Sequence, residues 1–141
     1  MSEAGAGGNP AVALGPAVQR LAAQPYPIVI GTRRPDSSIQ LNPIWFELRD
    51  GYIWINSNTW RAWPRNLQRD REATFLLVDR DAPDRYAQIR GRLAEVIPDP
   101  KHEFIDRLAR RYTGKDFREL EPGEERITFK IEPVRIMGEE L

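Results

Sequence analysis

The chain has 141 residues, with 21 basic and 21 acidic side chains, no net charge and no cysteine. This length favours one domain with one hydrophobic core, and the balanced charge argues against a protein that wraps nucleic acid. The lack of cysteine excludes disulfides and thiolate metal sites.

The first residues are small and polar, so we predict a disordered tail over residues 1–9 and a single domain over residues 10–141. A short helix is predicted between residues 11 and 23, interrupted by Gly15 and Pro16. No basic segment precedes a long apolar run in this region. The sequence therefore predicts neither a secretory signal nor a membrane span, and we expect a cytoplasmic protein.

The first strong pattern is a β-hairpin. Residues 26–34 are apolar and β-branched, and a turn cluster at residues 34–38 leads into a second strand at residues 38–50. In the second strand the apolar positions change phase at Asn42 and Pro43. This change predicts a β-bulge or an edge position.

Further strands follow at regular intervals. Asp50–Gly51 is a strong two-residue hairpin signal, and Gly91 lies where a long strand is expected to bend. The later strands are predicted at residues 52–58, 72–79, 85–97 and 125–137. Closely spaced, hairpin-linked strands predict a mainly β protein with a small antiparallel barrel.

Two helices are predicted between these strands. In one, Asp99 is a good N-cap, Pro100 fits the first helical position and Gly114 is the expected left-handed end. The other covers residues 61–69, where Pro64 is tolerated because it lies in the first turn.

The second of these helices carries a concentrated set of tryptophans and arginines. Successive residues of a helix are rotated by 100°, so Trp60, Trp63 and Leu67 fall on one face. Arg61, Arg65 and Arg69 fall on the opposite face. One interpretation is a buried aromatic face and a solvated charged face. The other is a phosphate site, because a helix N-terminus binds anions and the guanidinium groups of Arg61 and Arg65 match phosphate geometry.

The stretch RAWPRNLQRD at residues 61–70 resembles the helix-start motif of the split β-barrel flavin and deazaflavin proteins, the pyridoxamine-phosphate-oxidase-like superfamily. In that motif an arginine is followed two residues on by lysine, then by Asn-Leu and an acidic–basic pair. The resemblance covers about residues 25–137 and includes GTRRPDSSIQLNPIWFE, YAQIRGRLAEV and RLARRYTGKDF. The chain is most similar to the B-type oxidoreductases, which use coenzyme F420.

This resemblance implies a homodimeric split β-barrel, FMN-binding-like, with a cofactor in each groove at the interface. The positions that match cofactor-binding residues are Gln40, Asn42, Pro43, Ser57, Asn58, Thr59, Arg61, Asn66 and, reaching the groove from the long strand, Tyr86. Trp63 stands where the motif has lysine. It cannot pair with phosphate charge, so it either stacks on the ring or sugar or plugs the pocket, and Arg65 is the candidate for the missing charge.

The resulting hypothesis is an F420-dependent oxidoreductase that passes a hydride to a small electron-poor substrate. The sequence offers no acid–base or nucleophile set, so no catalytic residue is assigned and the cofactor would carry the chemistry. The only histidine is His102, and no metal site is expected. The alternatives are an FMN oxidoreductase, a non-catalytic ligand carrier of the same fold, and a barrel that stacks single-stranded nucleic acid on its tryptophans. Balanced charge disfavours the last of these, and no membrane partner is expected.

Overall fold

The computed structural model describes residues 10–138, so the predicted tail at residues 1–9 lies outside the described part of the chain. The helices are α1 (Pro16–Ala22), α2 (Ala62–Asp70) and α3 (Glu103–Thr113). The strands are β1 (Ile28–Arg33), β2 (Ile39–Ile44), β3 (Glu47–Arg49), β4 (Tyr52–Asn58), β5 (Glu72–Val78), β6 (Tyr86–Pro98) and β7 (Arg126–Met137). Within residues 10–138, no helix has the length and apolar character needed to cross a membrane.

All of these strands form one antiparallel sheet in the order β2-β1-β5-β6-β7-β4-β3. The two edge strands, β2 and β3, are separated in the chain only by Trp45 and Phe46. A link of this length spans roughly 10 Å, so the two edges of the sheet must lie close together. The sheet therefore curls into an incomplete barrel, and the predicted mainly β barrel architecture is confirmed.

The predicted second strand is in fact two strands, and the predicted bulge at Asn42 and Pro43 is wrong. β2 pairs with β1 in an unbroken register from Ile28↔Ile44 to Arg33↔Ile39. The apparent change of phase arises because Ile39 and Leu41 face outward, with exposed fractions of 60% and 66%. An apolar pattern on an exposed face looks, in sequence, like an inward face displaced by one residue. Pro43 does lie on an edge strand, as predicted.

The predicted hairpin turn is confirmed, and the predicted bend at Gly91 coincides with an irregularity in strand pairing. Asp50 and Gly51 both have positive φ, 55° and 83°, which is the conformation of a two-residue hairpin turn between β3 and β4. The register between β6 and β7 shifts at Arg90/Gly91. A Cβ atom on Gly91 would lie 2.4 Å from Cγ2 of the buried Ile131, so a larger residue here would have to displace that core side chain.

Helix α2 closes the barrel with its apolar face. Trp63 and Leu67 have exposed fractions of 1% and 0% and belong to the core, where the Trp63 ring lies 6.0 Å from the ring of Phe129. The expectation that Trp60 shares this buried face is wrong. Trp60 precedes the helix and is 47% exposed, so the helical periodicity does not apply to it.

Helix α3 begins at Glu103 rather than directly after Asp99. The N-cap position is His102, so the predicted N-cap at Asp99 and the predicted first helical position at Pro100 are wrong. The carboxylate of Asp99 still caps the helix from outside, because it accepts hydrogen bonds from the N–H groups of Phe104 (3.3 Å) and Ile105 (3.0 Å). A turn between Asp99 and the helix accounts for the difference in position. Gly114 ends the helix in the left-handed conformation, as predicted.

Candidate functional site

The turn between β4 and α2 is held by the side chain of Asn58. Its Oδ1 atom accepts hydrogen bonds from the backbone N–H groups of Trp60 (3.0 Å) and Arg61 (3.1 Å). Arg61 is the N-cap of α2, and the next N–H groups have no partner within the helix. The guanidinium of Arg61 makes no hydrogen bond or ion pair with any residue that the structure describes. A positive helix end and an unpaired cation therefore lie side by side.

A second group of charges surrounds the fully buried carboxylate of Glu124, just before β7. Its oxygens accept hydrogen bonds from Arg118 (2.9 and 3.1 Å), Arg126 (2.9 Å), Asn58 Nδ2 (3.2 Å) and the N–H of Glu121 (3.0 Å). These donors, Arg118 foremost, hold the pKa of Glu124 well below its usual range although burial acts in the opposite direction. Asn58 thus connects the start of α2 to the start of β7.

The side chain of Arg126 is fixed by a buried hydrogen-bond network. Arg126 lies directly opposite Asn58 in the β4–β7 ladder, and its Nε donates to Oδ1 of Asn56 at 3.0 Å. The amide of Asn56 in turn donates to Asp99 Oδ2 (3.2 Å) and Thr128 Oγ1 (3.0 Å). Buried networks of this kind restrict side chains to one arrangement.

These elements line a cavity of about 250 Å³ that is open to solvent on one side. Its polar wall comes from Asn56, Asn58, Arg61, Arg118 and Arg126, and its apolar wall from Pro43, Ile44, Trp45, Ile105, Leu108 and Phe117. Three guanidinium groups line this cavity, and the only carboxylate paired with them is Glu124, which lies behind the wall and bonds to Arg118 and Arg126, so the cavity has an excess of positive charge. A small-volume site with this charge is suited to an oxyanion.

Two residues of the apolar wall, Trp45 and Phe117, belong to an aromatic cluster. Trp45 stacks on Tyr112 with ring centroids 5.4 Å apart and planes at 11°, and it meets Phe117 edge-on at 6.4 Å. The Tyr112 hydroxyl lies 2.9 Å from the carbonyl of Tyr26 and accepts a hydrogen bond from the N–H of Phe46 at 3.2 Å. Burial raises the pKa of Tyr112, so its hydroxyl stays protonated and anchors α3 to the β2–β3 link.

Of the residues predicted from the sequence, Pro43, Asn58 and Arg61 line this cavity. Asn58 plays a different part from the one predicted, because both ends of its amide are engaged within the chain. Asn42 lies next to Pro43, and its Oδ1 atom is buried without a hydrogen-bond partner among the described residues.

Two further predicted residues, Asn66 and Gln40, hold α2 in place and do not line the cavity. The amide of Asn66 donates to Thr32 Oγ1 (3.2 Å) and to Gln40 Oε1 (3.3 Å), which ties α2 to β1 and β2. Ser57 and Trp63 are buried in the barrel, with exposed fractions of 1% each. Trp63 belongs to the hydrophobic core and does not line the cavity, so a bound molecule could not reach its ring without displacing core side chains.

The remaining predicted residues lie away from the cavity. Thr59 is exposed and lines a neighbouring depression of about 390 Å³. Arg65 is exposed on the outer face of α2 and does not line the cavity. Tyr86, 37% exposed, begins β6 opposite Val78. Arg65 follows Arg61 by one helical turn, but within one chain neither Arg65 nor Tyr86 lines the cavity with Arg61.

Sequence reasoning did not identify Glu124, Arg126, Arg118 or Phe117 as site residues. They are about sixty residues from Arg61 in the chain, and no motif marks them. The pairing of Asn58 with Arg126 across two strands brings them to the site. Such a pairing depends on strand order, which local patterns do not contain.

Comparison with known proteins gives three findings. The sequence profile of the pyridoxamine 5'-phosphate oxidase family matches residues 14–138. A solved structure described as an F420 reductase is 26% identical, with a TM-score of 0.78 over 85% of this chain and 95% of that chain. No protein of curated function matches.

Two other solved structures share the fold at lower identity. A conserved hypothetical protein from Mycobacterium tuberculosis is 24% identical, with a TM-score of 0.65 over 89% of this chain and 84% of that one. A pyridoxamine 5'-phosphate oxidase-related, FMN-binding protein from Nostoc punctiforme is 15% identical, with a TM-score of 0.61 over 87% and 83%. The family profile spans nearly the whole described chain, and the barrel is shared with flavin and deazaflavin proteins. The chain therefore belongs to the pyridoxamine 5'-phosphate oxidase family.

Proposed function

We propose that this protein is an F420-dependent oxidoreductase that transfers a hydride between the deazaflavin and a small electron-poor molecule. The observation that carries the proposal is the unpaired guanidinium of Arg61, which lines the cavity beside the N-terminus of α2. A cofactor with a phosphate group needs such a cation, and helix N-termini stabilise phosphate further. The likeness to an F420 reductase over 95% of that chain supports the choice of cofactor.

The residues of the cavity fit a bound deazaflavin in chemical character. Arg61 binds the phosphate, while Pro43 and Trp45 provide an apolar surface for the ring system. When bound, the deazaflavin supplies the hydride chemistry. Among the described residues of the cavity wall there is no carboxylate and no histidine. The wall residues therefore bind, orient and exclude water rather than transfer protons.

The same proposal includes a homodimer. Ile39 and Leu41 on the edge strand β2 are 60% and 66% exposed and adjoin an apolar depression of about 540 Å³ on the outer face of the sheet. Exposed apolar residues at a sheet edge are typical of an interface. The cavity of about 250 Å³ is also smaller than the 300–1,000 Å³ of most cofactor sites, so a second chain would complete it. In such a dimer, Tyr86 of one subunit would reach the cofactor bound to the other subunit.

The test is a titration of the purified protein with F420 and, in parallel, with FMN, followed by tryptophan fluorescence. Saturable binding of F420 and weaker binding of FMN are expected. The substitution Arg61→Ala should weaken F420 binding by about 1.5–3 kcal/mol, the strength of a charge-assisted hydrogen bond. Arg20→Ala is the matched control, because Arg20 is also exposed but lies on α1, away from the cavity.

The possible results of this titration separate the F420 proposal from its alternatives. Tight binding of FMN alone would replace the deazaflavin with a flavin in the same site. Equal affinity in the wild type and in Arg61→Ala would refute the role of Arg61. Binding of neither cofactor would contradict the proposed function and favour a carrier of another ligand. Oxidation of reduced F420 by an electron-poor acceptor, absent without protein, would establish turnover.

A further inference from the structure

The structure leaves one cation of the expected phosphate site unaccounted for. The motif that this chain resembles has a lysine where Trp63 stands, and Trp63 is 1% exposed in the core. Helix α2 therefore supplies Arg61 alone to the cavity. Arg65, the replacement predicted from the sequence, is exposed and does not line the cavity.

Arg126 has the placement that Arg65 lacks. Its side chain is only 7% exposed, yet it lines the same cavity as Arg61. Its Nε donates to Asn56 and its Nη1 to Glu124. Its Nη2 has no hydrogen-bond partner among the residues that the structure describes. A guanidinium that is more than nine-tenths buried thus keeps a donor free at a cavity wall.

The local charge balance also favours an additional anion. Glu124 is shared between Arg118 and Arg126, and its carboxylate cannot neutralise both. Burial, foremost, lowers the pKa of Arg126, and the positive charges of Arg118 and Arg61 lower it further, against the opposing hydrogen bond to Glu124. An oxyanion in the cavity would offset this repulsion, because its attraction to the largely buried Arg126 is screened less by water than an attraction between exposed charges.

We propose that Arg126 and Arg61 together form a two-arginine fork for an oxyanion, in which Arg126 supplies the cation that α2 lacks at Trp63. The expected oxyanion is the cofactor phosphate, and to that extent the inference rests on the proposed function. The carboxylate of a substrate is the other source of the same chemistry. Glu124 and Asn56 are positioning residues that hold Arg126 toward the cavity.

The first experiment needs no cofactor. Inorganic phosphate and benzoate are titrated separately into the full-length protein, and the arginine Nε–Hε resonances are followed by ¹⁵N NMR. Phosphate is expected to shift the resonances of Arg61 and Arg126 together, with Arg20 as the unaffected reference. A shift with benzoate alone would identify a carboxylate as the oxyanion and still support the fork. No shift of Arg126 with either anion would overturn the inference.

The second experiment compares ligands that differ only in phosphate. Affinities are measured for F420 and for its deazaflavin chromophore without the phosphate tail, in the wild type, Arg126→Gln, Arg126→Lys and Arg65→Gln. Arg126→Gln should weaken F420 binding by roughly 10- to 100-fold and leave binding of the phosphate-free chromophore within about twofold. Arg126→Lys should recover part of the loss, since it restores the charge without the fork. Arg65→Gln should bind both ligands like the wild type.

The outcomes separate this inference from the proposed function. If the wild type binds neither F420 nor FMN but phosphate shifts Arg126, the proposed function fails and the anion fork stands. Equal loss of both ligands in Arg126→Gln, with an unchanged circular dichroism spectrum, would show a purely structural role and overturn the fork. A selective loss in Arg65→Gln instead of Arg126→Gln would return the role to Arg65 and also overturn it.

Discussion

Replacement of Trp63 by alanine tests whether this residue belongs to the core or to a ligand site. Its ring is 1% exposed inside the barrel and lies 6.0 Å from the ring of Phe129. Removal of a fully buried tryptophan costs about 3–5 kcal/mol, because the transfer energy is lost and a cavity remains. The aromatic pair with Phe129 accounts for about 0.5–1.5 kcal/mol of interaction beyond its buried area.

Trp60 is the matched control, since it is the same residue type three positions earlier but is 47% exposed. Trp60→Ala should lower the free energy of unfolding by about 1 kcal/mol or less. Unfolding in urea, followed by far-UV circular dichroism, measures both. With a slope of about 1–3 kcal/mol per molar urea, the midpoint of Trp63→Ala should fall by roughly 1 M or more.

Trp63→Lys extends the test to the resemblance on which the cofactor assignment depends. It restores the residue that the family motif has at this position, but it places an ammonium group in an apolar core. We expect it to be less stable than Trp63→Ala and to bind F420 no better than the wild type, because a buried, unpaired charge costs several kcal/mol. Stable folding together with tighter F420 binding in Trp63→Lys would refute the core assignment.

Three further predictions concern single contacts. Glu124→Gln should cost about 3 kcal/mol or more in urea unfolding, because Arg126 loses its buried counter-charge. The pKa of Glu124 is depressed from its ordinary value of 4.5, so wild-type stability is lost as pH falls below that value; an equally steep loss in Glu124→Gln would contradict this. Asp99→Ala should cost about 1–2 kcal/mol through loss of the α3 cap, and an unchanged unfolding midpoint would argue against that cap. Leu41→Arg should give a monomer by light scattering with little change in monomer stability; a dimer in that variant would exclude this edge as the interface.

Much of the fold could be predicted from local sequence. β4 runs over Tyr52–Asn58, as predicted, because the Asp50–Gly51 turn fixes its start. Gly114 ended α3 for an equally local reason, the left-handed conformation that glycine adopts without strain. Features of this kind depend on a few neighbouring residues, so periodicity and turn chemistry are sufficient to find them.

The sequence also predicted the helix whose N-cap is Arg61. The sequence-based prediction of which side of β2 faces the core was wrong, because Ile39 and Leu41 are apolar but face outward. Hydrophobicity shows that a residue favours burial, but it does not distinguish the chain's own core from a surface that a second molecule would cover.

Local patterns alone thus determined the barrel class, the β4–α2 junction and a cation at the start of α2. Only the tertiary structure decided that Trp63 fills the core and that Arg126, rather than Arg65, lines the cavity together with Arg61. The physical reason is that a charged site in this fold depends on which strands pair. The ladder that places Arg126 opposite Asn58 joins segments far apart in the chain, and its register follows from packing of the whole sheet rather than from any single segment.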